Sequence, residues 1–513
     1  MQTLFITSGS TKLQHSFTAP IQLGELLREA QVHMQMPCGG NQRCGKCKIR
    51  VSGELSPMTE AERAFLTEEE IQEGYRLACF TTVSGDASVV LTGDRVFALS
   101  AVEMPHHQLT EQGFGIAVDI GTTTVAMQMY RLETGELVGE ALGANAQAGF
   151  GADVISRIDY ANHNGAKLLE DAIRNQLNTM AEACMKQAGT DHIDDCVVTG
   201  NTTMLHFWEG LDASGIAVAP FTPQSLFGET SHIPLHGKEP FLPPCLGSYI
   251  GADITCAILA SDMMNHPEET SLLVDMGTNG EIALRCKNGD LMCASTALGP
   301  AFEGANLDFG MQAAPGAISA VDLVDGEVVP TVLGGVEAIG LCGSGVLDAV
   351  RVMLELEVLG ESGRIDKDAP GVTDWKGEVA WQVPGTEVFV TQRDIRQIQM
   401  AKAAVSAGID TLLDAADLKP EDVDRFYIAG GFGHRMNLES GARIGLFPPQ
   451  LAPKTTVLGN AALSGADLLL LDRGSRIMLK QVADGAREIP LSGNETFSDQ
   501  YVERMAFEEE EVE

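Results

Sequence analysis

The chain has 513 residues and a formal net charge of −37, with 71 acidic side chains against 34 basic ones. That length exceeds what one hydrophobic core needs and points to two to four domains. The charge argues against nucleic acid, whose phosphates it would repel. No apolar run approaches the ~20 residues that span a bilayer, and the opening MQTLFITSGSTKLQ lacks a charged stretch followed by an apolar one. No membrane association and a cytoplasmic location are therefore expected. The eleven cysteines are odd in number and scattered, with no disulfide framework, which suits a reducing compartment.

Residues 1–92 read as a small α+β domain. LFITSG and KLQHSFTA alternate as a strand pair, Pro20–Val32 has helical spacing, and KIRVSGELS is a strand. EAERAFLTEEEI reads as one helix with acidic outer positions; YRLACFTTV and ASVVLTG return as strands. After the first helix comes Cys38-GGNQR-Cys44-GK-Cys47, and Cys79 stands alone further on. Thiolates ligate iron–sulfur clusters, and glycines in such a loop let backbone N–H groups approach the sulfides. Four cysteines also suit zinc or plain burial, although zinc favours paired C-x2-C units and Cys79 has no such partner. The C-x5-C-x2-C spacing with one distant cysteine resembles the adrenodoxin-like branch of [2Fe–2S] ferredoxins. That resemblance implies a β-grasp fold and a [2Fe–2S] cluster held by Cys38, Cys44, Cys47 and Cys79.

Residues 93–113 lose periodicity and form the expected linker, in which His106 and His107 read as solvated. FGIAVDIGTTTVAMQMY is then an apolar strand ending in Asp119, a turn through Gly121, Thr122, Thr123 and Thr124, and a second strand. SLLVDMGTNGEIALR repeats the pattern with Asp275, Gly277, Thr278 and Asn279, an internal repeat that suggests two related halves. Such turns aim N–H groups and hydroxyls at phosphate oxygens, and an aspartate at each strand end suits Mg²⁺, directly or through water. Tyr427-IAGGFGH-Arg435 adds a strand, a glycine turn (Gly430, Gly431, Gly433) and a helix start, where a nucleotide can lie against bare backbone.

Three further glycine-rich junctions precede helices: Gly200-Asn201-Thr202-Thr203, Gly251-Ala252-Asp253 and Gly343-Ser344-Gly345. Each suits a nucleotide contact or plain capping and packing, with Ser344 fitted to cap. Cys342 reads as a buried small residue. The stretch 294–307 is either a surface loop exposing Phe302 and Glu303 to a partner or a plain connection. The final EEEEVE is a solvated tail.

In this order the three glycine motifs resemble phosphate 1, phosphate 2 and adenosine of the superfamily that joins acetate and sugar kinases, heat-shock chaperone ATPases and actin. The resemblance covers residues 114–475 and implies a bilobal α/β ATPase of ribonuclease H-like type, leaving 476–513 as a C-terminal extension. It implies that Asp119, Thr122, Thr123, Asp275, Thr278 and Asn279 surround the phosphates of ATP and Mg²⁺. Gly430, Gly431 and Gly433 would lie beside the adenosine, with Ser344 and Gly345 as further contacts. Glu281 would orient the attacking water, against the plainer reading of a strand-surface salt bridge.

A ferredoxin domain joined to such an ATPase resembles the reductive activators of corrinoid-dependent methyltransferases. DIGTTT, GNTTM, DMGTNGE, GPAFEG, GLCGSG and AGGFG carry that resemblance over nearly the whole chain. It implies ATP-dependent one-electron reduction of Co(II) to Co(I) in a corrinoid protein, fed by an upstream low-potential donor; a homodimer is compatible with it. Ser295 or the 299–304 loop would be the part that approaches the cobalt. Larger members carry a separate middle domain before the first phosphate loop, and its absence is expected here because only the linker occupies that place. The rival readings are an activator of 2-hydroxyacyl-CoA dehydratases, which would lack the ferredoxin domain, a small-molecule kinase, and a ferredoxin on a scaffold that senses nucleotide without hydrolysis.

Overall fold

The computed structural model describes residues 2–8, 11–30, 32–34, 42, 47–91, 96–98, 112–151, 153–277, 279–303, 307–311, 313–430, 436–472 and 474–507. The chain divides into two compact units, one of residues 1–101, 304–360 and 365–394, the other of residues 102–303, 361–364 and 395–513.

In the first unit, strands Thr11–Phe17, Gln2–Ser8, Thr82–Leu91, Lys48–Leu55 and Tyr75–Leu77 lie side by side in that order. Gln2–Ser8 runs parallel to Thr82–Leu91 and the other pairs are antiparallel. Helix Leu23–Glu29 buries Leu23, Leu26 and Leu27, one face of a 3.6-residue period, in the core formed with Leu4, Ile6, Val51 and Val89. This mixed sheet with one helix in its core is the β-grasp arrangement. The single helix expected over 60–71 is two short ones, Glu60–Arg63 and Glu68–Gln72. Thr59 accepts from the Glu62 N–H at 3.1 Å, and Thr67 and Glu70 cap each other's N–H groups at 3.2 and 2.8 Å. The second threonine cap starts a new helix where the first would have continued. Fully buried Glu62 pairs with Arg76 through two 2.8 Å bonds and also accepts from the Leu77 N–H. Of the expected linker, Val96–Ala98 pairs with Val32–Met34; His106, His107 and residues 508–513 lie outside the described residues.

The second unit contains two sheets of one plan. The first runs Glu136–Ala144, Thr124–Arg131, Phe114–Ile120, Asp195–Gly200, Phe241–Leu242, and the second runs Leu291–Ala297, Asn279–Arg285, Ser271–Met276, Arg425–Ala429, Thr455–Gly459. In both, the aspartate-bearing strand is antiparallel to the strand after its glycine turn and parallel to the neighbour on its other side. Ile116, Ala117 and Val118 are all fully buried, which is why this strand reads as a continuous apolar run and not an alternating one. The duplicated strand order bears out the internal repeat.

Helices Ala252–Ala260 and Ala461–Leu471 are apolar on almost every side and pack backbone to backbone. A Cβ at Gly465 would stand 2.1 Å from the Cys256 carbonyl oxygen. The stretch set apart as an extension folds back into this unit. Helix Ser475–Gly485 starts at its expected boundary, Ala486–Glu488 joins the second sheet beside Leu291–Ala297, and buried Lys402 donates to the Arg504 and Ala506 carbonyls at 2.6 and 2.5 Å. Among the described residues no helix is long and apolar enough to cross a membrane.

Gly465→Ala separates helix propensity from packing. Propensity alone would stabilise the helix by about 1 kcal/mol, whereas the 2.1 Å approach forces the two helices apart at about 1–3 kcal/mol. The expected outcome is a lower thermal unfolding midpoint; a rise would show that the two backbones separate at no cost.

Candidate functional site

Strands Lys48–Leu55 and Tyr75–Leu77 pair with Lys48 opposite Leu77, so the cysteine just before the first and the one shortly after the second leave the ladder at the same end. The Ala78 N–H donates to the Cys47 carbonyl at 2.9 Å, and both sulfurs are buried with Sγ to Sγ 3.2 Å. That separation is well beyond a disulfide bond of about 2.05 Å and close to the ~3.8 Å between two sulfurs that share one tetrahedral metal. Gln22 and Gln42 donate to the Cys79 carbonyl at 2.5 and 2.9 Å and fix the second cysteine's backbone. The pair fits two ligands of one metal atom. Cys38 and Cys44 lie outside the described residues.

The second unit gathers carboxyl groups. Asp119 ends strand Phe114–Ile120, Asp275 lies in Ser271–Met276, and the hairpin register sets Glu281 directly opposite Asp275. Asp253, in the first turn of Ala252–Ala260, joins them. Burial pushes Asp275 up to about 8, with Asp253 and Asp119 adding to the effect. Burial likewise raises Asp119 to about 7, opposed by the Asn460 amide, which donates to it at 2.9 Å, and reinforced by Asp253. Asp253 rises to about 6 through burial, and Glu281 is driven well above its ordinary range by burial, then Asp253, then Asp275. Four mutually repelling carboxyl groups with no ion pair of their own among the described residues are a donor set that fits a divalent cation. No three of them bring ligand atoms within 4.8 Å of one another, so any shared cation is reached partly through water or a ligand's oxygens.

The turn after Asp119 is held from behind. A Cβ at Gly121 would meet the Thr124 carbonyl oxygen at 2.6 Å, so this hairpin accepts only glycine there. Asn145 donates from its side chain to the Gly121 carbonyl and from its backbone to the Thr123 carbonyl, both at 2.8 Å. Asn201 donates to the Thr122 hydroxyl at 3.0 Å. Arg157, almost wholly buried, donates to the Thr122 and Gly151 carbonyls at 2.6 and 3.0 Å, and burial lowers it to about 10. Gly430 has φ +100°, and a Cβ there would lie 2.2 Å from the Met276 carbonyl oxygen and 3.1 Å from the Asp275 carboxylate. The glycine of the adenosine motif thus sits against the end of the Asp275 strand. Gly277 and Asn279 form the second turn; Thr278, Gly431 and Gly433 lie outside the described residues.

Three comparisons with known proteins bear on this arrangement. Residues 13–84 match the family model described as a 2Fe-2S iron-sulfur cluster binding domain, 114–266 that of the "RACo middle region", and 269–513 that of the "C-terminal domain of RACo the ASKHA domain". The chain is 32% identical over 447 residues to the corrinoid activation enzyme RamQ of Eubacterium limosum, covering 82% of this chain and 74% of that one. It belongs to the family of corrinoid reductive activators. A Methanosarcina barkeri protein named "[Co(II) methylated amine-specific corrinoid protein] reductase" is 27% identical over 77% of each chain. The solved structure of a reductive activator for a corrinoid, iron–sulfur protein covers 99% of this chain at 27% identity, with a TM-score of 0.73.

The family's descriptions correct one expectation. The middle region is present, on 114–266, and begins with the Asp119 strand and turn instead of preceding them. Other corrections come from packing. Phe302 is 3% exposed, so the 294–307 stretch does not present it to a partner. Ser344 does not cap: its hydroxyl donates to the Ser319 carbonyl at 2.7 Å inside the first unit, where a Cβ at Gly345 would stand 2.1 Å from the Ile318 carbonyl oxygen. The Ser-Gly pair thus makes a close backbone approach where a cap was expected. Glu281 makes no salt bridge among the described residues; it is buried beside Asp275. Cys342 is buried, as expected. Asp253, Asn145, Arg157 and Asn460 were not among the expected site residues. Asp253 had been noted only within a glycine-rich helix start that suits a nucleotide contact or plain capping and packing, and its position in the first helical turn after a glycine was the available signal.

The raised carboxyl groups have a stability consequence with a definite sign. Above about pH 4 the unfolded chain has lost these protons while the folded chain retains them, so stability falls as pH rises toward the folded values of about 6 to 8. In chelator, the unfolding midpoint of the wild type should drop between pH 5 and pH 8 by more than that of Asp275→Asn. Parallel profiles would show that Asp275 is already ionised.

Proposed function

We propose that this protein catalyses ATP-dependent, one-electron reduction of Co(II) to Co(I) in the corrinoid protein of a methyltransferase system, taking electrons from an upstream low-potential donor. The observation that carries the reading is the combination, in one chain, of a ferredoxin-type cysteine pair and a carboxylate-lined site between two sheets of one strand order. RamQ is named a corrinoid activation enzyme and the Methanosarcina relative a Co(II) corrinoid protein reductase, which supports the same acceptor here. The cysteines have no disulfide among the described residues, in keeping with a cytoplasmic location.

Cys38, Cys44, Cys47 and Cys79 hold the [2Fe–2S] cluster in this reading. When bound, it supplies a one-electron carrier of low potential, near about −400 mV in plant-type ferredoxins. Moving an electron to a lower-potential acceptor is uphill by about 2.3 kcal/mol for each 100 mV, so the chain must draw on a second source of free energy.

ATP provides it if its binding and hydrolysis favour one conformation over another. Asp119 and Asp275 hold Mg²⁺ with its water shell, and Asp253 adds negative charge beside it. Thr122, Thr123, Thr124, Gly121, Gly277, Thr278 and Asn279 line the phosphates, and Gly430, Gly431 and Gly433 lie along the adenosine. The Thr122 hydroxyl accepts from Asn201, which leaves its own proton to donate to a phosphate oxygen. Glu281, facing Asp275 across the hairpin, orients the water that attacks the terminal phosphate. Its pKa is raised by burial, then by Asp253 and Asp275; positive charge beside these groups would favour the carboxylate. Phosphoryl transfer depends on positioning and charge neutralisation, so loss of Asp275 should be the most damaging change.

The test is anaerobic: reduced protein, a Co(II) corrinoid protein and Mg-ATP, followed by the optical bands of the two cobalt states. Co(I) should form only with ATP, and Asp275→Ala should lower the rate by at least about 100-fold while leaving the iron–sulfur spectrum intact. Cys79→Ser should remove that spectrum. Full activity in Asp275→Ala would overturn the site assignment, and Co(I) formation without ATP would overturn the coupling.

A further inference from the structure

Three asparagines converge on the turn after Asp119, and each does so from the start of a helix. Asn145 precedes the short helix Ala146–Phe150, Asn201 precedes Thr202–Glu209, and Asn460 precedes Ala461–Leu471. In every case the side-chain oxygen accepts from a backbone N–H of the first turn: Gln147 at 2.8 Å, Met204 at 3.0 Å and Leu463 at 2.9 Å. With the oxygen so engaged, the amide nitrogen has one orientation left, and it points at the turn. The acceptors are the Gly121 carbonyl at 2.8 Å, the Thr122 hydroxyl at 3.0 Å and the Asp119 carboxylate at 2.9 Å.

Two of these junctions share a local sequence. Gly200-Asn201-Thr202-Thr203 and Gly459-Asn460-Ala461-Ala462 both close a strand with glycine, cap with asparagine and continue as helix. Aspartate, serine or threonine would cap as well. Among these residues asparagine alone carries a donor nitrogen apart from the capping oxygen, able to reach a second group on the far side; serine and threonine have only the hydroxyl that caps. The second duty therefore explains the residue type, and capping alone does not.

Asn460 differs from the other two because it belongs to the second sheet while its acceptor belongs to the first. Gly459, in a left-handed conformation at φ +67°, accepts from the Gly430 N–H at 2.8 Å. The adenosine-motif glycine is thus one hydrogen bond and one peptide away from the side chain that grips Asp119.

We propose that Asn460 is a positioning residue that couples the adenosine end of the nucleotide to the cation end, by holding the Asp119 carboxylate from the opposite sheet. Donation to one oxygen (Oδ2) leaves the other available to Mg²⁺ or its water. Movement of the Gly430–Gly459 junction then changes how Asp119 meets the cation. Serine caps nearly as well as asparagine, but its single polar atom is the capping oxygen next to Cβ and it lacks the amide nitrogen that reaches Asp119, so Asn460→Ser removes that bond and keeps the helix start. Alanine removes both.

This inference rests on the nucleotide reading above, and the experiment separates the two. ADP affinity is titrated against Mg²⁺ for the full-length holoprotein and both variants, and the unfolding midpoint is measured in chelator. Asn460→Ser should unfold and bind ADP in chelator as the wild type does, yet need about tenfold more Mg²⁺ to reach half of its metal-dependent affinity gain, the scale of one hydrogen bond to a charged group. Asn460→Ala should show the same Mg²⁺ shift together with a lower unfolding midpoint. A wild-type Mg²⁺ requirement in Asn460→Ser overturns the inference, and so does an affinity loss equal with and without Mg²⁺, which would mark a merely structural amide. Failure of the wild type to bind ADP at any Mg²⁺ concentration overturns the nucleotide reading itself.

Discussion

Burial of like charges is the constraint around which the second unit is built. Asp119, Asp253, Asp275 and Glu281 come from two strands, a hairpin and a helix start, and each is pushed toward its protonated form by burial and by its neighbours. A chain of this length is stable by only a small margin, and such an arrangement persists only because surrounding packing over-determines it. The fully buried strand Phe114–Ile120 and the backbone-tight pair of helices at Gly465 and Cys256 supply that packing. The repulsion is relieved by a cation, so the energetics of the site already favour a ligand carrying positive charge and further oxygens.

Rigidity is distributed unevenly around this site. The turn between Asp119 and Thr124 is fastened through its carbonyls and hydroxyl by asparagine side chains and by Arg157, a guanidinium whose partners are uncharged. The ferredoxin-like part of the first unit uses a different device, the buried Glu62–Arg76 pair, which fastens the segment before Cys79. In both places a charged or amide group with several directed bonds fixes a loop that carries ligating residues, which apolar packing alone would leave free to slide.

Much of this was legible in the sequence. The two Asp-x-Gly-Thr turns sit on apolar strands, and buried strands of that kind have a strong signature, so both sheets and their repeat could be read directly. The cysteine spacing was equally explicit as the mark of a 2Fe-2S domain, which the family match on residues 13–84 bears out. What escaped were features set by contacts between distant segments. Asp253 joins Asp275 through the packing of a helix start, and Asn460 reaches Asp119 from the far end of the chain. Viewed alone, Asp253 is a residue of a first helical turn and Asn460 one that precedes a helix. The break at Thr67 was missed because the apolar spacing continues through it; only the second capping threonine reveals it. Phe302, beside a Gly-Pro pair, looked exposed because turn residues mark chain reversals and say nothing about what covers them. The membership of 304–360 and 365–394 in the first unit had no local signal either.

The repeated strand order has one more implication. The two sheets share one strand plan, whereas the proposed ligand has a base at one end and a charged chain at the other. The backbone plan alone cannot tell those ends apart. Direction must be written in the turns: one sheet carries the run of hydroxyls after Asp119, and in the other Gly430 is followed by Gly431 where the equivalent junction of the first has Gly200 followed by Asn201. A duplicated scaffold thus acquires polarity through a few turn residues, which is why those short motifs identify the protein better than its far longer strands and helices do.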